Sequence, residues 1–209
     1  MPKKAKHLRR GRPTTLDRQR TVAIATDCYW RDGLYSTSLA EVCRRAGVSK
    51  PSVYREFGGE DGLMLAAIEH YRNLATIPLM SLLASDAPFL EVLRQLMTFT
   101  TEISDRSAGC LLTAMRYAPG RLGPATLTRV KMIEKDLLDA YEAWYQRAIS
   151  RGEADPNIPP KLAACYVDMQ MGAVLLQMPI ASSPARLLQQ MQLALRSLVP
   201  TSHWETFMG

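Results

Sequence analysis

At 209 residues the chain is long enough for one or two domains with a real core. It lacks the ~18 uninterrupted apolar residues of a membrane span. It also lacks the apolar run of a secretory signal after its basic N-terminus, and its four cysteines (28, 43, 110 and 165) have no paired spacing for disulfides or zinc, so a reduced cytoplasm is the expected setting.

The net charge of +6 is unevenly placed. Residues 1–60 hold 13 Lys or Arg against 6 Asp or Glu, a balance of +7, and residues 61–209 hold 13 against 14, a balance of −1. A basic segment of this kind attracts phosphate and releases counterions. Residues 1–13 read as an arm in which Arg9, Arg10 and Arg12 precede Pro13. Such an arm can reach into a minor groove; the plainer reading is a solvated basic tail.

Val22, Ala25 and Tyr29 mark a helix over residues 17–32 that Gly33 stops. The most informative segment follows, residues 36–63, STSLAEVCRRAGVSKPSVYREFGGEDGL. Ser38 and Glu41 form an S-x-x-E capping box, and Leu39, Val42, Cys43 and Ala46 give one small apolar face. Gly47 suits the left-handed position after a helix. Ser49 caps a second helix with Pro51 in its first turn, where a missing N–H costs nothing. Val53 and Phe57 should face inward. Pro51, Ser52 and Arg55 lie opposite, Lys50 and Tyr54 lie on the flanks, and Gly58-Gly59 ends the helix. Two short helices joined by a tight glycine turn are the layout of a helix-turn-helix, whose second helix enters the major groove of duplex DNA. An ordinary hairpin of an all-α domain is the competing reading.

The rest also reads as helix, over residues 61–77, 88–103, 110–117, 124–151, 160–178 and 184–198, with a bend or end at Pro78 and no alternating strand pattern. The expected fold class is therefore all-α: a three-helix DNA-binding unit with a helix-turn-helix, followed by a helical C-terminal domain. Residues 163–178 carry Asp168 as their only charge, so that helix is either central to the core or packed on a second subunit. Together with the leucine-rich last helix it could build a four-helix bundle in a homodimer, and a twofold dimer suits an operator with two half-sites.

This chain resembles the TetR family of bacterial transcriptional regulators. The resemblance rests on Arg18 and the helix after it, Gly33, Thr37 to Val42, Ala46 to Ser49, Tyr54, Phe57 and Leu63, and it is close from about residue 14 to 71. It implies domains at 14–74 and 75–209, a homodimer on palindromic operator DNA, and release by a small apolar or amphipathic effector. By position it implies phosphate contacts at Thr37 and Tyr54, and DNA-facing roles for Ser38, Ser49, Lys50, Pro51, Ser52 and Arg55. Glu60 departs from the family's usual lysine, and a carboxylate there should repel phosphate.

For the effector site the candidates are Met97, Cys110, Met115, Trp144, Tyr145 and Met169, with Phe99 beside them; plain core packing is the alternative for each. The segment GCLL at 109–112 resembles one that places a cysteine near the pocket in some of these regulators. A thiol-based electrophile or redox sensor acting through Cys110 is thus one alternative function. A dimeric interaction protein with weakened DNA binding is another. The three histidines make no metal or triad spacing, and no nucleotide-binding or zinc-protease motif is present. No enzyme activity, cofactor, metal or membrane association is expected.

Overall fold

Local capping chemistry sets the helix boundaries of the first third. In this computed structural model, which describes residues 16–104, 109–180 and 183–204, α1 spans Arg18–Asp27 and is capped by Asp17, whose carboxylate accepts from Arg20 N at 3.1 Å. A π turn over Cys28–Asp32 carries α1 to Gly33, at φ 90°. Helix α2 is Leu39–Ala46, and Ser38 Oγ accepts from Glu41 N at 3.2 Å. Only half of the expected capping box forms. The Glu41 carboxylate turns instead to Arg44 and Arg45, whose hydrogen bonds hold its pKa down to about 2. Gly47 takes the left-handed conformation (φ 68°) that closes α2.

Helix α3 is Lys50–Phe57, with Ser49 as its cap and Pro51 in its first turn. Helix α4, Glu60–Tyr71, packs directly behind it. Gly62 makes that approach possible, because a Cβ there would sit 1.7 Å from the Phe57 carbonyl oxygen. Val53, Leu63, Met64, Ile68 and Tyr29 fill the space between α1, α2, α3 and α4.

Pro78, where the sequence predicts a bend or end, sits inside continuing helix. It cannot donate to the preceding turn, and the backbone absorbs this in a π turn over Arg72–Thr76 before α5, Ile77–Leu83. The division expected at residues 74 and 75 thus falls inside a nearly continuous rod. Then come α6 (Phe89–Ser104), α7 (Leu111–Arg116), a 3₁₀ turn (Pro119–Arg121), α8 (Pro124–Ser150), α9 (Pro160–Gln177) and α10 (Pro184–Leu195). Among the described residues there is no strand, and no helix is long and apolar enough to cross a membrane.

Helices α8 and α9 form the most extensive helix pair, and Tyr166 ties α9 to α10 by donating to the Ala194 carbonyl at 3.0 Å. Phe89 stacks on Trp144, with centroids 4.8 Å apart, and meets Tyr145 edge-on. This aromatic cluster closes the end of the bundle far from α3. One contiguous apolar core runs from α1 through to Val199.

The two halves meet at a polar joint. Asp61 caps α8, accepting from Ala125 N and Thr126 N at 3.0 Å each and from Thr126 Oγ1 at 2.6 Å. Burial opposes the charge on Asp61, but these hydrogen bonds outweigh it and hold the carboxyl below the usual range. The guanidinium of Arg121 donates to the carbonyls of Leu34 (2.9 Å) and Thr37 (3.0 Å) and to Glu60 Oε1 (2.5 Å). Arg129 on α8 pairs with Glu69 on α4.

Candidate nucleic-acid interface

The surface of α3 is built outward from Val53, which is fully buried. With Val53 pinned inward, Lys50, Pro51, Tyr54 and Arg55 are exposed and Ser52 is half-covered. Ser49 is exposed, and its hydroxyl shares a 2.8 Å hydrogen bond with Ser52 as well as capping the helix. Tyr54 is 59% exposed, and its ring lies against Gly59, where an added Cβ would come within 3.3 Å of the ring.

Charge pairing sharpens the picture. Arg18, Arg31, Arg44 and Arg45 are taken up by Glu56, Asp27, Glu41 and Asp32. Lys50 and Arg55 make no ion pair among the described residues. The uncompensated cations of this unit therefore include both that stand on α3. That is the arrangement needed to meet a polyanion.

Thr37 does not fit its expected role. It is 2% exposed, its hydroxyl donates to the Cys28 carbonyl at 3.0 Å, and its N–H donates to Gly33 O at 3.1 Å. With both donors spent, Thr37 fixes the entry to α2 and has nothing left for phosphate. Ser38 is exposed, with its oxygen committed to the cap of α2. Arg9, Arg10 and Arg12 lie outside the described residues. Glu60 is drawn back to Arg121, and its charge is neutralised there, so the expected repulsion of phosphate is blunted.

The C-terminal half holds a cavity of about 40 Å³ between α4, α5, α6, α7, α8 and α9. At ~10–15 Å³ per molecule it has room for about three or four waters. Of the six residues expected to line it, only Cys110 does; Phe99 lines it too. Met115 is core, Trp144 and Tyr145 belong to the aromatic cluster, and Met97 is half-buried on α6 away from the lining. Met169 is 64% exposed and points away from the bundle.

Sequence reasoning missed the cavity's polar wall. Arg116 donates to both oxygens of Asp168 (3.1 and 2.8 Å) and to Glu134 (2.7 Å). Burial works against the Arg116 charge, and the two carboxylates overcome this and raise its pKa. Asp168 as the lone charge of an apolar helix was a usable signal that a buried cation faces it. Tyr71, missed as well, lines the cavity from α4. Among the described residues no group of three or more His, Cys, Asp or Glu could hold a metal ion.

Comparison with known proteins agrees with this geometry. The profile described as bacterial regulatory proteins, tetR family, matches residues 22–67, from α1 through α3 into α4. The HTH-type transcriptional repressor BdcR of Escherichia coli K12 is 28% identical over 100 residues, which are 48% of this chain and 51% of BdcR. Residues 22–67 carry the N-terminal signature of the TetR family. The chain spans about half the length of this curated relative. The fold match is longer. The TetR regulatory protein of Rhodobacter sphaeroides superposes with a TM-score of 0.78 at 20% identity, over 88% of this chain and all of that one. The TetR-family regulator CifR, in a cysteine mutant complexed with a 26-bp operator duplex, gives a TM-score of 0.73 at 21% identity over 90% of this chain and all of its own. At such identities the C-terminal likeness to these regulators is one of fold.

Proposed function

We propose that this chain is a TetR-family DNA-binding transcriptional repressor, a homodimer that grips a near-palindromic operator and releases it when a small molecule enters the C-terminal cavity. One observation carries the reading: the exposed cations of α3 are left uncompensated while the arginines around them are paired. Lys50, Ser52 and Arg55 then serve base edges, and Tyr54 serves phosphate. The repressor name of BdcR and the operator complex of CifR support the same assignment. Residues 1–13 act as the arm, 14–74 as the DNA-binding unit, and 75–209 as the sensing and dimerising unit.

The dimer reading has its own support. Leu162, Met169 and Leu176 stand seven residues apart on α9 and are all exposed, as is Leu193 on α10. A stripe of this kind on two neighbouring helices suits a four-helix contact between two copies. Val174 is buried inside the protomer and belongs to its core instead.

The effector reading rests on the cavity. It is too small for a drug-sized molecule as it stands, so binding has to part its walls. Helix α7 runs into the turn carrying Arg121, which holds the carbonyls just before α2. Coupling of ~1–3 kcal/mol would change operator affinity roughly 5–150-fold, provided the effector prefers the DNA-free state.

The test is selection of binding sites from a random duplex library, followed by anisotropy titrations over a range of salt. Enrichment of a twofold-related site, lost in Lys50→Ala and Arg55→Ala, is expected. A library that emerges unenriched would refute specific binding. Operator release is then compared between reversible compounds and thiol-reactive agents in wild type and Cys110→Ser. Release by a reversible compound that survives the substitution is expected. Release by reactive agents alone, abolished by Cys110→Ser, would replace this reading with a thiol sensor.

A further inference from the structure

The cavity carries information about its ligand. Tyr71 is 1% exposed, yet its hydroxyl has no partner at full hydrogen-bonding distance and angle, although the Cys110 thiol and the Leu111 N–H lie beside it. A buried hydroxyl without a partner is costly, and a native structure that keeps one calls for an explanation. The ring is not free to turn the group elsewhere. Trp30 meets it edge-on, with centroids 5.0 Å apart at 79°, and the Trp30 indole N–H is itself held by the Gly109 carbonyl at 2.9 Å. The hydroxyl is thus fixed beside the cavity. Burial, with Cys110 beside it, pushes its pKa well above the ordinary phenol range, so it keeps its proton.

The opposite wall excludes one class of ligand. Arg116 is the cation in the lining, and Asp168 and Glu134 already occupy it. Together the three groups carry one net negative charge. A buried anion would meet that charge with no free cation to pair with, which is expensive. The remaining walls, including Leu79, Phe99, Leu137 and Leu175, are apolar.

We infer that the effector is an uncharged, mainly apolar molecule with one hydrogen-bond acceptor, of the carbonyl type, that accepts a hydrogen bond from the Tyr71 hydroxyl. This rests on the reading of the cavity as the effector site. The missing bond of Tyr71 is then a bond held open for the ligand.

Three probes of matched shape separate the possibilities: acetophenone, α-methylstyrene (a methylene in place of the carbonyl oxygen) and benzoate. Dissociation constants come from ligand-detected NMR titration of the full-length protein and of Tyr71→Phe. Acetophenone should bind the wild type and lose roughly 3- to 10-fold in Tyr71→Phe, the effect of one hydrogen bond. Binding of α-methylstyrene should change less than twofold between the two proteins, and benzoate should bind the wild type at least tenfold more weakly than acetophenone. The benzoate comparison needs no variant, so it stands even where Tyr71→Phe folds poorly. If no probe binds, the effector-site reading itself fails and the inference falls with it. If α-methylstyrene binds but acetophenone is indifferent to Tyr71→Phe, the cavity remains a ligand site and the donor role is overturned. If benzoate binds as well as acetophenone, the exclusion of anions is overturned.

Discussion

Asp61→Ala isolates the joint between the two halves. The substitution removes the acceptor of two backbone N–H groups at the start of α8 and of the Thr126 hydroxyl. Loss of a helix cap costs ~0.5–2 kcal/mol. Ala125 is exposed, and water can serve its N–H. Thr126 is fully buried, so its N–H is stranded, at ~1–3 kcal/mol. The Thr126 hydroxyl still has the main-chain carbonyl of residue 61 at 2.9 Å and adds little. The expected destabilisation is therefore about 1.5–5 kcal/mol, or roughly 3–20 °C in Tm for a chain of this size. Circular dichroism melts at fixed protomer concentration measure it, since a dimer's Tm depends on concentration. Asp61→Asn keeps one acceptor oxygen and should lose less.

The sign with pH follows from the lowered pKa. The ionised carboxylate stabilises the fold above its unfolded value of about 3.9, and that contribution is lost as pH falls through the lower folded value. Wild type should therefore lose stability on acidification more steeply than Asp61→Asn. A change below about 0.5 kcal/mol in Asp61→Ala, with unchanged acid behaviour, would show that the cap contributes nothing.

Other substitutions probe other parts. Tyr54→Ala should weaken specific and random duplex binding about equally in anisotropy titrations, whereas Lys50→Ala should shift operator preference; identical profiles would mean that the two faces of α3 are misassigned. Met169→Asp should convert dimer to folded monomer in light scattering, because the side chain is exposed in the protomer, and a persistent dimer would move the interface off α9. Gly172→Ala should stabilise by roughly 0.5–1 kcal/mol through helix propensity, since its Cβ would meet Thr113 Cγ2 at an ordinary 3.7 Å. The same methyl should crowd the cavity that Gly172 lines, so calorimetry should find weaker acetophenone binding.

The helix-turn-helix was legible because its determinants are local. Ser38, Gly47, Ser49, Pro51 and Gly58 act within four residues of where they sit, and a sequence displays that range directly. The long apolar helices were legible by periodicity. The cavity was not. Its walls come from six helices with no common spacing, so the candidates chosen as cysteine, methionines and aromatics captured two lining residues, Cys110 and Phe99, and left out Tyr71, Arg116 and Asp168. Position-by-position resemblance also misled at Thr37, where the backbone geometry around Gly33 turns the hydroxyl inward. Glu60 looked like a defect in DNA binding until Arg121, 61 residues away, supplied its partner. Long-range pairs of this kind leave no trace in the local pattern.

The contact at Gly62 reaches beyond packing. With no space for even a methyl group between α4 and the Phe57 carbonyl, α3 cannot be re-aimed by repacking beneath it. The two helices travel as one lever, and every amino acid other than glycine is closed at that position. Anyone retargeting this protein to a new DNA sequence would keep residue 62 constant in every library. Base preference would be altered through the outward side chains of α3.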